Sequence, residues 1–343
     1  MSPVKTYRLA FWALGILLIF TWFLNINLGS VSIETKEVFS ILFNNKQEHK
    51  NIEYILLNYR IPKSLTAILV GSGLGVCGLL MQTLFRNPLA GPFVLGVSSG
   101  ASLGVAILIL GSSILSGCFS SILVSNWSVA LFSSFGSFLV LSAVMIAVKT
   151  IRNTMSILII GLMFGSISAA IINVLSYFSS AEQLQQFIFW SFGSLGNLNW
   201  NELFVFSLIL LFSSLLLLSI IKPLNSLLLG ENYARSLGIN LKKTRNIVLI
   251  TTCLITGVIT AFSGPIAFIG LAVPHLTKLI FPTSNHKILL PAVALNGAII
   301  MLICDIIAQM PTSEYTLPIN AVTSLFGAPI VIWLLIRKQK ISI

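Results

Sequence analysis

Residues 63–110 read KSLTAILVGSGLGVCGLLMQTLFRNPLAGPFVLGVSSGASLGVAILIL, and from Ser64 to Leu110 the only charge is Arg86. A helix that crosses a bilayer needs roughly 20 mostly apolar residues. The stretch holds two such runs, 63–82 and 93–110, separated by Arg86-Asn87-Pro88-Leu89-Ala90-Gly91-Pro92. Two prolines and a glycine in the insert interrupt any continuous helix. The pattern is therefore helix, breaker, helix, set in an apolar solvent.

Working outward, eight more runs of the same kind follow: 9–26, 127–148, 157–178, 203–221, 246–262, 266–280, 288–309 and 318–336. Lys5 and Arg8 precede the first, which is long and lacks a small-x-small cleavage site, so it is expected to remain as a helix. The chain has 343 residues, 56% hydrophobic and 8% charged, with a mean hydropathy of +0.98. Soluble domains carry about 25% charged residues, so this composition excludes a soluble enzyme, a disordered chain and a nucleic-acid-binding domain. The expected fold class is an all-α membrane protein of about ten transmembrane helices, forming one domain over residues 1–343.

An even number of spans puts both termini on one side. Fifteen of the 20 Lys and Arg residues, including Lys5, Arg86, Arg152, Arg235, Lys243 and Arg337, fall on that side. Only Lys36, Lys46, Lys50, Arg60 and Lys63 fall on the other. Basic residues resist transfer, so the termini are expected in the cytoplasm. The net charge of +11 reflects this placement rather than affinity for a polyanion. Acids run the other way: Glu34, Glu37, Glu48, Glu53, Glu182, Glu202 and Glu314 are expected outside and Glu231 inside.

Asp305 is the one acid within a predicted span. An intramembrane carboxylate is costly, which makes it a functional candidate. The competing reading, and the preferred one, is a structural side chain satisfied by helix ends or by Gln309. Ion-coupled carriers usually place more such groups in their spans, so a lone Asp argues against ion coupling.

Small residues recur four apart at Gly71 and Gly75, at Gly96, Gly100 and Gly104, and at Gly161 and Gly165. Such spacing lets helix backbones approach closely. The breaker-rich stretch Asn87–Pro92, followed by Gly96, has an echo in Ser263-Gly264-Pro265, followed by Gly270. The topology sets the two on opposite faces, which is what an inverted repeat produces.

Gly96-Val97-Ser98-Ser99-Gly100 satisfies the G-x-S-x-G pattern, but a nucleophile elbow needs a preceding strand and a partnered His. Here the pattern opens a membrane helix, so Ser98 is not expected to be catalytic. No phosphate-binding G-x-x-x-x-G-K-[ST] loop and no H-E-x-x-H occurs. His49, His275 and His286 lack metal-ligand spacing, and Cys77, Cys118, Cys253 and Cys304 lie far apart as packing residues. No cofactor, metal or catalytic residue is expected. Leu227–Gly238 reads as a short helix on the cytoplasmic side, with Glu231 and Arg235 four apart and Gly238 as its stop. It is either an amphipathic connector lying on the membrane or a docking helix for a cytoplasmic partner.

The stretch Met81-Gln82-Thr83-Leu84-Phe85-Arg86-Asn87-Pro88-Leu89-Ala90-Gly91-Pro92, continuing Leu95-Gly96-Val97-Ser98-Ser99-Gly100-Ala101, resembles the signature of the FecCD family. So do Gly230–Gly238, Gly264–His275, and Leu317-Pro318-Ile319 leading to Gly327-Ala328-Pro329. These are permeases of bacterial ABC importers for iron-siderophores, haem and vitamin B12. The resemblance implies a BtuC-like, type II ABC importer permease fold with ten helices in an inverted repeat. Two permease subunits, identical or different, would pair around a central path in the plasma (inner) membrane. A cytoplasmic ABC ATPase dimer would hydrolyse ATP, so this chain would not be an enzyme. An external, periplasmic in some bacteria, substrate-binding protein would deliver the cargo.

By the same resemblance, the ATPase-coupling helix falls on Gly230, Glu231, Tyr233, Ala234, Arg235, Leu237 and Gly238. Arg60 and Lys63 would receive acidic residues of the binding protein; Lys63 lacks the bidentate fork of an arginine. The cytoplasmic gate would be Asn153, Thr154, Met155 and Ser156, and Met163, Ser166 and Ala170 would line the path. An iron(III)-siderophore chelate is the preferred cargo, with haem or vitamin B12 next. The rivals are an ion-coupled secondary carrier acting alone and an intramembrane hydrolase using Ser98.

Overall fold

A computed structural model describes residues 3–29, 33, 35–44, 50–111, 125–150, 154–311 and 315–341. The described residues form α-helices and their connections. In order these are α1 (Pro3–Asn27), α2 (Thr35–Asn44), α3 (Lys50–Ile55), α4 (Ile61–Phe85), α5 (Val97–Ile109), α6 (Asn126–Thr150), α7 (Thr154–Phe178) and α8 (Ala181–Ser191). Then come α9 (Trp200–Leu218), α10 (Ile221–Leu227), α11 (Glu231–Ser236), α12 (Leu241–Ser263), α13 (Ile269–Ile280), α14 (His286–Ala308) and α15 (Ile319–Ile341). Seven of them, α1, α4, α6, α7, α9, α12 and α14, are long and apolar enough to cross a membrane; α5, α13 and α15 are shorter apolar helices. Together they are the ten elements expected.

Two predicted spans start late. Pro92–Leu95 makes a 3₁₀ turn that ends on Gly96 at φ 73°, so α5 begins at Val97 rather than Phe93. Phe268 is left-handed at φ 65°, so α13 begins at Ile269 rather than Ile266. A left-handed residue ends one helical run before the next can start. The polar stretch between the first two apolar runs is partly helical through α2, α3 and a π turn over Leu56–Arg60. Ile26, Ile33, Val38 and Leu56 bury against one another beneath it. Helix α8 is an element the hydropathy pattern does not predict; Ser180 and Gln183 cap it reciprocally.

The helix pairings repeat with exchange of partners. Helix α4 packs on α14 as α12 packs on α6, and α5 lies against α6 and α7 as α13 lies against α14 and α15. The α4–α14 contact closes where a Cβ on Gly71 would strike the Gly297 carbonyl; the α12–α6 contact closes where one on Gly257 would lie 3.3 Å from Ser137 Cβ. The left-handed caps also match. Gly96 before α5 presses on Gly161 of α7, and Phe268 before α13 presses on Gly327 of α15. This is the inverted repeat.

Helix α4 lies at the centre, and most of its length is buried. Its first turn and the last turns of α1 and α14 meet at one end of the molecule. Helices α10 and α11 lie at the other, where Arg86 after α4 meets Leu227 and His286 of α14 meets Asn225. Helix α1 starts and α15 ends at the α11 end.

Candidate functional site

At the end away from α11, Asp305 is only 2% exposed, yet fully engaged. Lys63 Nζ lies 3.1 Å from its Oδ1. Asn25 Nδ2 donates to its Oδ2 at 2.9 Å and Gln309 Nε2 to the same oxygen at 2.7 Å. A buried carboxylate is tolerable when paired and hydrogen-bonded in this way. Both Asp305 oxygens thus have partners within the protein, and Gln309 is one of them, as expected. Asn25 and Lys63 are further partners that spacing does not reveal; the sequence signal was Asn25, a polar side chain inside an apolar run.

Arg60 is tied down as well. Its Nη1 donates to the carbonyls of Ile26 at 2.7 Å and Asn27 at 2.8 Å, closing the C-terminus of α1. A cation there also complements the helix dipole. Lys63 and Asp305 border a cavity of about 550 Å³ whose wall includes Phe189 and Phe192 of the α8 segment, Ser194, Gly196 and Leu317. Lys63 thus lines the recess and Arg60 stands one turn before it, each half-exposed and each holding a protein partner.

At the opposite end, Gly230 at φ 117° and Gly238 at φ 77° bracket α11. Side chains are strained at such angles, which is why glycine stands at both. The Ile239 amide donates to the Ala234 carbonyl at 3.1 Å, closing the helix end. Ala234 is buried, whereas Glu231, Tyr233, Arg235 and Leu237 are exposed. Leu228 and Leu229, just before, are exposed too. One small residue faces the protein and the rest of this segment faces away, a surface made of mixed apolar and charged groups.

Helix α7 is the least buried of the seven long spans. Met163, Ser166 and Ala170 are exposed on one face, and Asn173 and Tyr177 continue the stripe. The seven-residue steps from Ser166 to Asn173 and from Ala170 to Tyr177 could have revealed the two added residues. Of the expected gate, Asn153 and the side chains of Thr154 and Met155 lie outside the described residues, and Ser156 is half-buried in the first turn of α7. Ser98 is buried in the first turn of α5 behind a 3₁₀ turn, not a strand. His275 meets the Pro88 carbonyl at 2.8 Å, and His286 meets Thr83 and Asn225. Cys77, Cys253 and Cys304 are buried packing residues, and Cys118 lies outside the described residues.

A ten-element inverted-repeat bundle, with a charged recess at one end and an exposed short helix at the other, defines a multi-pass membrane permease. Comparison with known proteins makes the class specific. Residues 17–337 match the FecCD transport family, and the chain belongs to that family. It is 37% identical over 281 residues to the vitamin B12 import system permease protein BtuC of Klebsiella pneumoniae, covering 82% of each chain. It is 35% identical over 339 residues to the hemin transport system permease protein HmuU of Yersinia pestis, covering 97% of each. A metal-chelate-type ABC transporter solved in an inward-facing conformation superposes with a TM-score of 0.82 at 29% identity, over 95% of this chain and 98% of that one. The protein is thus an ABC importer permease of this type, a transport subunit.

Proposed function

We propose that this permease imports an iron(III)-siderophore chelate, handed over by an external binding protein and released to the cytoplasm as a partner ATPase dimer hydrolyses ATP. The observation that carries the cargo reading is the exposed α7 face, where Met163, Ser166, Ala170, Asn173 and Tyr177 offer no carboxylate, ammonium or guanidinium. A bulky chelate needs a loosely lined path rather than a tight charged pocket. The likeness to a metal-chelate-type transporter supports the same reading. The α6–α7 junction at 153–156 is the proposed cytoplasmic gate, and two permease subunits enclose the path.

The orientation follows from charge: the α11 end carries the basic majority, so it faces the cytoplasm with both termini. The exposed Glu231, Tyr233, Arg235 and Leu237 then dock with the ATPase. Arg60 and Lys63 face outward and receive carboxylates of the binding protein, which must compete with Asp305 for Lys63.

Haem is the second reading, favoured by the near full-length match to the hemin permease. The test is uptake by proteoliposomes holding the permease, its ATPase and its binding protein. ATP-dependent accumulation of ⁵⁵Fe-siderophore, unaffected by excess haemin or cobalamin, is the expected result. Uptake of haemin or cobalamin alone would replace the cargo assignment.

A further inference from the structure

Helices α4 and α14 run antiparallel and are fastened to each other at three levels. At the outer end Lys63 of α4 pairs with Asp305 of α14. Midway, Gly71 and Gly297 bring the backbones together. At the inner end Thr83 Oγ1 of α4 lies 2.9 Å from His286 Nε2 of α14, in a site where His286 is 1% exposed. From Lys63 to Thr83 the helix rises about 30 Å, at 1.5 Å per residue. Pro291 removes one ladder bond from α14 between the inner and middle levels, and α4, which has no proline from Lys63 to Thr83, lies alongside as a splint.

The inner end of this pair is also tied to α10, which leads directly into α11. Asn225 Oδ1 accepts from the His286 backbone amide at 2.8 Å and stands 2.8 Å from its ring Nδ1. Asn225 Nδ2 donates to Asn285 Oδ1, the cap of α14, at 3.0 Å. Two residues along α10, the Leu227 carbonyl accepts from Arg86 Nη2 at 2.8 Å, just past the end of α4. So α10 holds α14 through one side chain and α4 through one carbonyl. Leu224, buried just before these ties, packs the segment into the core.

We infer that α4 and α14 move as one rod that links α11 to the outer recess, with Asn225 and Arg86 as the positioning residues that fasten α10 to it. This rests on the reading of α11 as the ATPase contact and of the recess as the binding-protein contact. A displacement of α11 is then delivered about 30 Å away, at the Lys63–Asp305 pair, along the length of α4. Linkage makes the effect two-way: an event at the recess biases α11 as strongly as the reverse.

The test uses the whole importer, this chain with its ATPase and binding protein, in proteoliposomes. ATP hydrolysis is measured with and without loaded binding protein, together with cargo moved per ATP, for Asn225→Leu, Asn225→Asp and Arg86→Gln. In Asn225→Leu and Arg86→Gln, hydrolysis without binding protein and ATPase assembly should stay at the wild-type level. Stimulation by binding protein should vanish, and most of the cargo moved per ATP should be lost with it. Asn225→Asp keeps the accepting oxygen and should keep stimulation. Unchanged stimulation in both disrupting variants overturns the inference. So does a parallel loss of unstimulated and stimulated hydrolysis in all three, which marks mere bracing. Should Asn225→Leu fail to assemble, Arg86→Gln, at an exposed position, decides alone. Failure of the underlying reading looks different, because the wild-type chain itself would then bind no ATPase.

Discussion

Lys63 Nζ sits 3.1 Å from Asp305 Oδ1, so the cation at the start of α4 and the one acid within the predicted spans are a single unit. The pairing settles why an acid can remain there: its charge is met by an ammonium and its second oxygen by two amides. It also bears on transport, since a carboxylate with both oxygens already engaged is poorly placed to carry a travelling ion.

Replacing Asp305 with Asn should cost stability more than transport. Removing one member of a buried pair costs about 3–5 kcal/mol when both are enclosed. Lys63 keeps 26% exposure, and water screens it. A loss of about 2 kcal/mol is expected, read as a lower melting temperature in detergent. ATP-driven uptake should persist at permissive temperature. Its collapse in a folded variant would favour the ion-coupled carrier.

Reversing Arg60 and Lys63 to Glu should weaken capture of the binding protein about tenfold or more at low salt, and progressively less as ionic strength rises. Arg60→Glu should also loosen the end of α1, because the guanidinium closes two carbonyls there. Surface plasmon resonance on nanodisc-held importer reads both the affinity and its salt slope. Equal affinity for wild type and double variant at low salt would remove the docking role.

Exchange of residues 229–237 for a Gly/Ser linker should abolish co-purification of the ATPase while the membrane domain stays monodisperse. Only Ala234 of α11 is buried, so little of the core depends on that helix. Tyr233→Ala and Arg235→Glu should act in the same direction but more weakly. Normal uptake with the linker in place would be fatal to the assignment.

Gly71→Leu should strongly disrupt the bundle centre. Its side chain would meet the Gly297 backbone, which cannot rotate away. Overpacking of this kind costs typically about 1–3 kcal/mol, and contact with backbone rather than side chain puts it at the upper end. Expression yield and melting temperature report it. Gly15→Leu, where a side chain meets open space, serves as the control.

Much of the architecture is legible in the order of residues alone. Apolar run length identifies the spans, because a bilayer imposes one scale on every helix that crosses it. The echo between Gly91-Pro92 and Gly264-Pro265 is visible because the Gly-Pro pair occurs at these two places alone in the sequence, each between two apolar runs, and its meaning appears in the matched left-handed caps Gly96 and Phe268. The edges of α5 and α13 are not legible, since Phe93 and Ile266 are as apolar as the helices they precede. Helix α8 escapes notice because Glu182, Gln183, Gln185 and Gln186 fill its first half and leave only Phe187–Trp190 as an apolar run, too short to read as a span.

The chain by itself determined the number of crossings, the side on which the basic residues gather and the short segment at 230–238 between two glycines. Those features are local: hydropathy, charge and backbone freedom act over a turn or a run. Which distant residues meet was decided only by packing. Asp305 with Lys63, Gly71 with Gly297, and His286 with Thr83 and Asn225 are each separated by 61 or more positions. A pattern of apolar residues specifies that a helix spans the bilayer, but lipid solvates every apolar face alike. Only close backbone approach and the need to satisfy buried polar groups select one partner for each helix.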